Sequence, residues 1–205
     1  MSNIEAVFAA TSNEELADNY DKWAAAYEVD LGDIAGPREA VEQIVKYVPP
    51  SARILDAGCG TGVIGQLLGE QGFSRVEGLD ISAGMIQEAE KKRCYTAFHQ
   101  QILGDQLSFE NDSFDAVVIV GVFVRAHARS NSFAELIRIT KPGGHIIFTL
   151  RPEFYANTDF KTTMDALETA GRWTLVEVTE PFHGRSKMKP DVNLQVWIYS
   201  VNESY

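Results

Sequence analysis

The stretch ILDAGCGTGVIG, Ile54 to Gly65, sets four glycines behind a single aspartate. A short apolar run enters it and a helical pattern leaves it, so it reads as strand, tight turn and helix. Gly60, Gly62 and Gly65 form G-x-G-x-x-G, the spacing at which a β-α-β unit brings bare backbone against a nucleotide. Asp80 ends the next apolar run, twenty residues after Gly60. An acidic side chain there accepts hydrogen bonds from both hydroxyls of a ribose. These positions predict a ribonucleoside site at the carboxyl edge of a parallel sheet.

Outward from the loop, apolar runs alternate with helical stretches, the pattern of β-α-β units. Strands are expected at RILDA, RVEGLD, TAFHQQIL, FDAVVIVGVF and HIIFTLR, with FDAVVIVGVF central and buried on both faces. Helices are expected at 62–72, 83–93 and 131–140, the last stopped by KPGG, and over most of 152–170. RWTLVEVTEPF and NLQVWIYSV alternate as strands around a polar loop, HGRSKMKPD, and predict an antiparallel hairpin. Upstream, residues 13–29 read as a helix capped by Ser12 or Asn13, and residues 37–48 as a second helix with Pro37 in its first turn. The expectation is one α/β domain, with residues 1–50 as a helical extension or lid packed on 51–205.

Composition narrows the partners. Eighteen Lys+Arg against 29 Asp+Glu leave a net charge of −11, which repels phosphate backbones, so no nucleic-acid partner is expected. No apolar run approaches the roughly 20 residues of a membrane span, and the N-terminus lacks the basic start and apolar core of a signal peptide. Cys59 and Cys94 match no disulfide or zinc spacing. No metal is expected, and a cytoplasmic or nuclear location is.

The identity of the nucleoside turns on Asp56. A carboxylate within ~5 Å of a phosphate, at an effective dielectric of ~20, costs about 3 kcal/mol. A pyrophosphate is therefore a poor ligand for this loop. S-adenosylmethionine carries an ammonium and a sulfonium instead, and the same carboxylate becomes favourable beside them. The residues point to S-adenosylmethionine as cofactor rather than NAD.

LDAGCGTG followed by VEGLDISAGMIQEA resembles the first two motifs of the class I S-adenosylmethionine-dependent methyltransferases. FENDSFDAVVIVGVF and ELIRITKPGGHIIFT resemble that family's fourth- and fifth-strand segments. More narrowly, YDKWAAAYEVDL, GPREAV and ITKPGG resemble the methyltransferase-like protein 27 group of the Williams–Beuren syndrome region. The resemblance implies a Rossmann-like doubly wound sheet of seven strands, order 3-2-1-4-5-7-6, with the last strand antiparallel. It implies that Asp56 and Gly58 lie near the methionine moiety, within a loop that also presents Cys59, Gly60 and Gly62. Asp80 would bind the ribose, Ile81 would lie against the adenine with Met85 in the same set, Leu103 and Gly104 would border the adenine edge, and Val120 and Gly121 would lie under the methionine. LGDQLSF is shorter than the family's usual acidic segment, so Asp105 receives no adenine contact.

Methyl transfer to an activated sulfonium needs positioning and desolvation, and a base only when the acceptor arrives protonated. The candidate bases are His127, after the fourth strand, and His183, in the hairpin; His99 and His145 read as structural. Tyr20, Trp23 and Tyr27 share one helical face and read as an aromatic lid, with Tyr20 nearest the cofactor. Arg38, Arg125, Arg129 and Arg185 are weaker candidates for an anionic acceptor. Cys59 is not read as catalytic. The expected function is methyl transfer to a small-molecule acceptor; the alternatives are a protein or peptide methyltransferase and a non-catalytic protein binding S-adenosylmethionine or S-adenosylhomocysteine.

Overall fold

The computed structural model describes residues 2–33, 35–124, 127–184 and 192–203. At its centre β1 (Ile54–Ala57) pairs in parallel with β2 (Val76–Asp80) on one side and β4 (Phe114–Ile119) on the other. β3 (Ala97–Gln100) extends the parallel sheet beyond β2, and β5 (Thr140–Leu150) extends it beyond β4. β6 (Trp173–Val178) and β8 (Asn193–Val201) pair antiparallel, and β8 also lies antiparallel against β5. The order β3-β2-β1-β4-β5-β8-β6 is the expected doubly wound sheet with one addition. β7 (Phe182–His183), two residues long, pairs with the start of β8 and makes the last strand the eighth. The chain winds outward from β1 to β3 and returns to the other side at β4, so the ends of β1 and β4 form the switch point where ligands bind in such sheets.

Period-two alternation divides the core between two faces. Leu55, Ala57, Val117, Ile119, Ile146 and Phe148 face α7 (Ser132–Ile139) and α9 (Phe160–Thr169). Ile54, Ala116, Val118 and Ile147 face α4 (Pro37–Tyr47) and α5 (Val63–Glu70). α4 starts where Gly36 turns the chain at φ 119° and the Glu39 carboxylate accepts from the Gly36 N–H at 2.7 Å. With Ala40 and Ile44 fully buried on the sheet, α4 belongs to the core. A boundary at residue 50 therefore separates it from what it packs on.

Several elements depart from expectation. α1 (Asn3–Ala9) was not anticipated; Ser2 and Glu5 cap it reciprocally. The helix expected over 13–29 is α2 (Asn13–Trp23), a 3-10 turn (Ala24–Ala26) and α3 (Tyr27–Leu31). The Trp23 indole N–H spans the break and donates to Asp30 Oδ2 at 2.7 Å, a contact that periodicity does not encode. The central strand stops at Ile119 rather than Phe123, because Gly121 turns at φ 74° and donates its N–H to Thr149 Oγ1 at 2.9 Å. β5 begins at Thr140 and runs through KPGG. Its register against β4 shifts between Phe114 and Ala116, and Gly144 comes so close to the Asp115 carbonyl that a Cβ would stand 2.7 Å away. The helical stretch after β5 divides into α8 (Pro152–Asn157) and α9, and α6 (Ala83–Lys92) follows β2 as expected.

Phe133 is fully buried, with ring centroids 4.9–5.1 Å from those of Trp173, Phe123 and Phe148. Phe133→Ala leaves a cavity between α7 and the sheet and is expected to cost about 3–5 kcal/mol in urea denaturation. A loss below about 1 kcal/mol would show that this cluster collapses freely and does not set the packing.

Candidate functional site

The glycine loop is tied to the neighbouring strand before it reaches any ligand. The N–H groups of Gly58 and Cys59 both donate to the Leu79 carbonyl, at 2.7 and 2.9 Å. The glycines then divide their tasks. A Cβ on Gly58 would meet Val122 at 2.3 Å, and one on Gly65 would meet the Tyr95 ring at 2.2 Å. Gly62 is less tightly enclosed: a Cβ there would stand 3.0–3.1 Å from Ala89 and Tyr95. Only Gly60 faces open space, at φ 51°. Thus two glycines of the G-x-G-x-x-G pattern serve helix packing, and one serves the cleft.

Asp56 lies behind the loop. It is 1% exposed; its Oδ2 accepts from the Tyr95 hydroxyl at 2.6 Å, and that hydroxyl accepts from the Gly65 N–H at 2.9 Å. Oδ1 is buried with no partner. Burial pushes the carboxyl up to about 7, against the lowering effect of the Tyr95 bond. Asp56 lines neither of the chambers described below, and neither do Gly62 and Gly104. Tyr95 packs against Asp56 and Gly62, and Gly104 turns toward Asn131 and Ser132.

Asp80 does face the cleft. Oδ2 accepts from the Gly60 N–H at 2.8 Å and Oδ1 from the Ser82 N–H at 2.9 Å, leaving a further lone pair on each oxygen. Burial raises its pKa while these backbone donors oppose the rise. The first chamber encloses about 730 Å³ including its mouth. Asp80, Ile81, Met85 and Leu103 line it together with Gly58, Gly60, Val120, Gly121, Tyr20 and Tyr27. Among the described residues that line it there is no lysine or arginine.

A second chamber, about 1170 Å³ including its opening, shares Tyr20, Tyr27, Gly58, Gly60, Val120, Gly121 and His127 with the first. Trp23 and Cys59 line only this one, with apolar residues from α1 and from β8. The aromatic face expected as a lid is therefore part of the wall: Trp23 is 2% exposed, and its ring centroid is 4.8 Å from that of Tyr27. The Tyr20 hydroxyl stands 2.6 Å from His127 Nε2. Burial pushes the Tyr27 phenol up to about 12, with Asp80 adding to the rise, so both phenols stay neutral. Burial also raises the Cys59 thiol, which removes its nucleophilic form.

The lid has a latch that the sequence did not announce. Asp21 Oδ1 accepts from the Ser82 hydroxyl at 2.5 Å and the Gly84 N–H at 2.8 Å. Gly84 has to be small, since a Cβ there would lie 2.8 Å from the Asp21 Cα. Glu28 pairs with Lys92 at 2.5 Å at the other end of α6.

Other candidates are placed elsewhere. His183 lies exposed on β7 and Arg38 is exposed on α4, and neither lines either of these two chambers. His99 bonds Glu77 at 2.9 Å, and His145 stacks on Tyr47. Arg129 is exposed, and Arg125 and Arg185 lie outside the described residues. A residue not anticipated, Arg151, reaches the second chamber from the end of β5; its position after a buried strand was a legible signal, because ligands collect at that edge.

A family profile described as "Methyltransferase domain" matches residues 54–144. Over 164 residues the chain is 36% identical to human methyltransferase-like protein 27, covering 75% of this chain and 66% of the relative. The chain belongs to the class I S-adenosylmethionine-dependent methyltransferases. It is 33% identical to the malonyl-[acyl-carrier protein] O-methyltransferase of Serratia marcescens, over 72% of this chain and 53% of that one. The demethylmenaquinone methyltransferase of Renibacterium salmoninarum is also 33% identical, over 65% of this chain and 57% of its own length. The chain thus spans between about half and two thirds of these relatives. Among solved structures, an S-adenosylmethionine-dependent methyltransferase from Methanosarcina mazei aligns with TM-score 0.64 at 20% identity, over 79% of this chain and 98% of that one. The [4+2]-cyclase SpnF aligns with TM-score 0.75 at 14% identity, over 95% and 98%. At these identities the likeness concerns the fold.

The donor set fits the family's cofactor. Asp80 offers acceptors for two hydroxyls, Ile81, Met85 and Leu103 form an apolar slot, and the open face of Gly60 admits a ligand against the loop. An acidic chamber without a described cation favours a sulfonium and opposes a pyrophosphate. The sulfonium argument thus rests on this lining and Asp80; the Asp56 side chain itself is turned toward Tyr95.

Because the folded Asp56 pKa of about 7 lies above its ordinary value of 3.8, the native state holds that proton more tightly than the unfolded chain. Stability present below pH 3.8 is therefore lost progressively up to about pH 7. Relative to Asp56→Asn, the protein without ligand should lose stability across that window in denaturation series at constant salt. A flat difference would mean that Asp56 ionises as it does in the unfolded chain.

Proposed function

We propose that this chain is an S-adenosylmethionine-dependent methyltransferase whose acceptor is a small molecule enclosed in the second chamber. The observation that carries this reading is the shared wall. A cleft lined by Asp80 and a largely apolar chamber roofed by the N-terminal helices meet at Gly58, Gly121, Tyr20 and His127. The roof, residues of the 1–50 segment, favours an enclosed small acceptor over an open groove for a protein side chain. Two relatives are named for demethylmenaquinone and for malonyl-[acyl-carrier protein].

When bound, the cofactor supplies a methyl group whose bond to sulfur breaks, leaving the electron pair on sulfur, as an acceptor lone pair closes on the carbon. The chain's own residues do the rest. Asp80 holds the ribose hydroxyls, Ile81, Met85 and Leu103 grip the base, and backbone at Gly58, Gly60 and Gly121 borders the methionine. The aromatic roof excludes water, which strengthens each polar contact beneath it. The Tyr20 hydroxyl orients the His127 imidazole by accepting from its Nε2–H, which leaves Nδ1 to take the proton of a hydroxyl or amine acceptor. The second reading is a binding protein that does not transfer methyl groups. The fold similarity to a protein described as a cyclase supports keeping it, since one architecture serves more than one chemistry.

Calorimetric titration with S-adenosylmethionine, S-adenosylhomocysteine and NAD in parallel tests the cofactor: the first two should bind and NAD should not. Asp80→Ala should weaken S-adenosylmethionine by about 1.5–3 kcal/mol, the range for hydrogen bonds to a charged group; unchanged affinity removes the ribose assignment. Tyr20→Ala should weaken the cofactor more than His127→Ala does, and the reverse order would count against Tyr20 as its cover.

A further inference from the structure

Arg151 is the one described lysine or arginine on the wall of the second chamber. It leaves the carboxyl end of β5 two residues after Thr149, which lines the same wall. Its Nε is buried without a hydrogen-bond partner, and no ion pair is formed by its guanidinium among the described residues. Burial lowers its pKa and the nearby Glu153 opposes that, yet a guanidinium keeps its charge in a protein. Glu153 is exposed. A half-buried cation facing an apolar space is costly unless an anion joins it, because removing a charged donor from water without a partner forfeits its hydration. Much of the remaining wall is apolar, from Val7 and Phe8 on α1 to Val124, Val192 and Leu194, with Tyr20, Tyr27, His127 and Thr149 among its polar members. The Thr149 hydroxyl accepts from the Gly121 N–H and still has a proton to give.

We propose that Arg151 anchors a carboxylate of the acceptor, so that the second chamber takes a small apolar carboxylic acid. This rests on the reading of that chamber as the acceptor site. A planar guanidinium presents parallel N–H groups to the two oxygens of a carboxylate, and Thr149 adds a neutral donor. Among the described residues of this wall Arg151 is the one lysine or arginine, and a single guanidinium balances the single negative charge of a carboxylate better than a phosphate dianion. The carboxylate end lies at the β5 wall, and the apolar body extends under the roof toward Tyr20 and His127. Arg151 was absent from the sequence candidates, while Arg38, Arg125, Arg129 and Arg185 were considered.

The test titrates the full chain with octanoate, octanol and octyl phosphate, each with and without saturating S-adenosylhomocysteine, and repeats the series with Arg151→Gln. Octanoate is expected to bind the native chain at least tenfold more tightly than octanol, and Arg151→Gln to erase that preference while retaining S-adenosylhomocysteine affinity. Equal binding of octanoate and octanol to the native chain overturns the proposal, without reference to any variant. So does a preference that survives Arg151→Gln, or a tighter binding of octyl phosphate than of octanoate. Failure of S-adenosylhomocysteine to bind would instead sink the methyltransferase reading, and the octanoate comparison without it still judges the anchor.

Discussion

The Tyr95 hydroxyl is the pivot of the nucleotide end of this molecule. It donates to Asp56 at the end of β1 and accepts from the Gly65 N–H in the first turns of α5. One phenol thereby joins the strand that enters the glycine loop to the helix that leaves it. The arrangement is possible only because Gly65 has no side chain where the Tyr95 ring stands. With strand and helix tied from behind, the loop's front is fixed by the Leu79 carbonyl, and Gly60 remains the open face. The cleft is therefore preformed by backbone and by buried packing, which lowers the ordering cost of binding.

The roof is held by different physics. α1, α2 and α3 share a small apolar cluster of Val7, Leu16, Trp23 and Leu31, too few residues to hold position by burial alone. Asp21 and Glu28 supplement it by engaging the two ends of α6. Asp21 occupies the N-terminal end of α6, where free N–H groups and the helix dipole favour a carboxylate. Lys92 stands in the last turn, where a cation is favoured. The same helix that follows the ribose-side strand thus carries the roof, so cofactor cleft and acceptor chamber share supports as well as walls.

Much of this was legible before any coordinates. The β-α-β units, the antiparallel end, the acid at the end of the second strand and the shared aromatic face follow from motifs whose physics is local: a turn that needs glycine, a strand end that carries an acid, a helix face at three- and four-residue spacing; the sheet order came from the family resemblance. Less legible was everything that depended on a partner distant in sequence. The sequence marks Asp56 as a carboxylate near a glycine loop, but only packing turns it toward Tyr95, thirty-nine residues away. His183 and Arg38 carry plausible chemistry and lie outside the chambers, while Arg151, overlooked, lies in one.

Residue type and spacing alone determined the fold class and the strand that ends at the ribose-side acid. These depend on backbone conformation and on hydrophobic period, both of which act over a few residues. Tertiary structure decided which glycines face ligand, which of several arginines meets an apolar chamber, and that Tyr20 and His127 stand within a hydrogen bond of one another. Those outcomes depend on side chains brought together across the sheet, where burial sets the cost of a charge and the geometry of its neighbour sets the compensation.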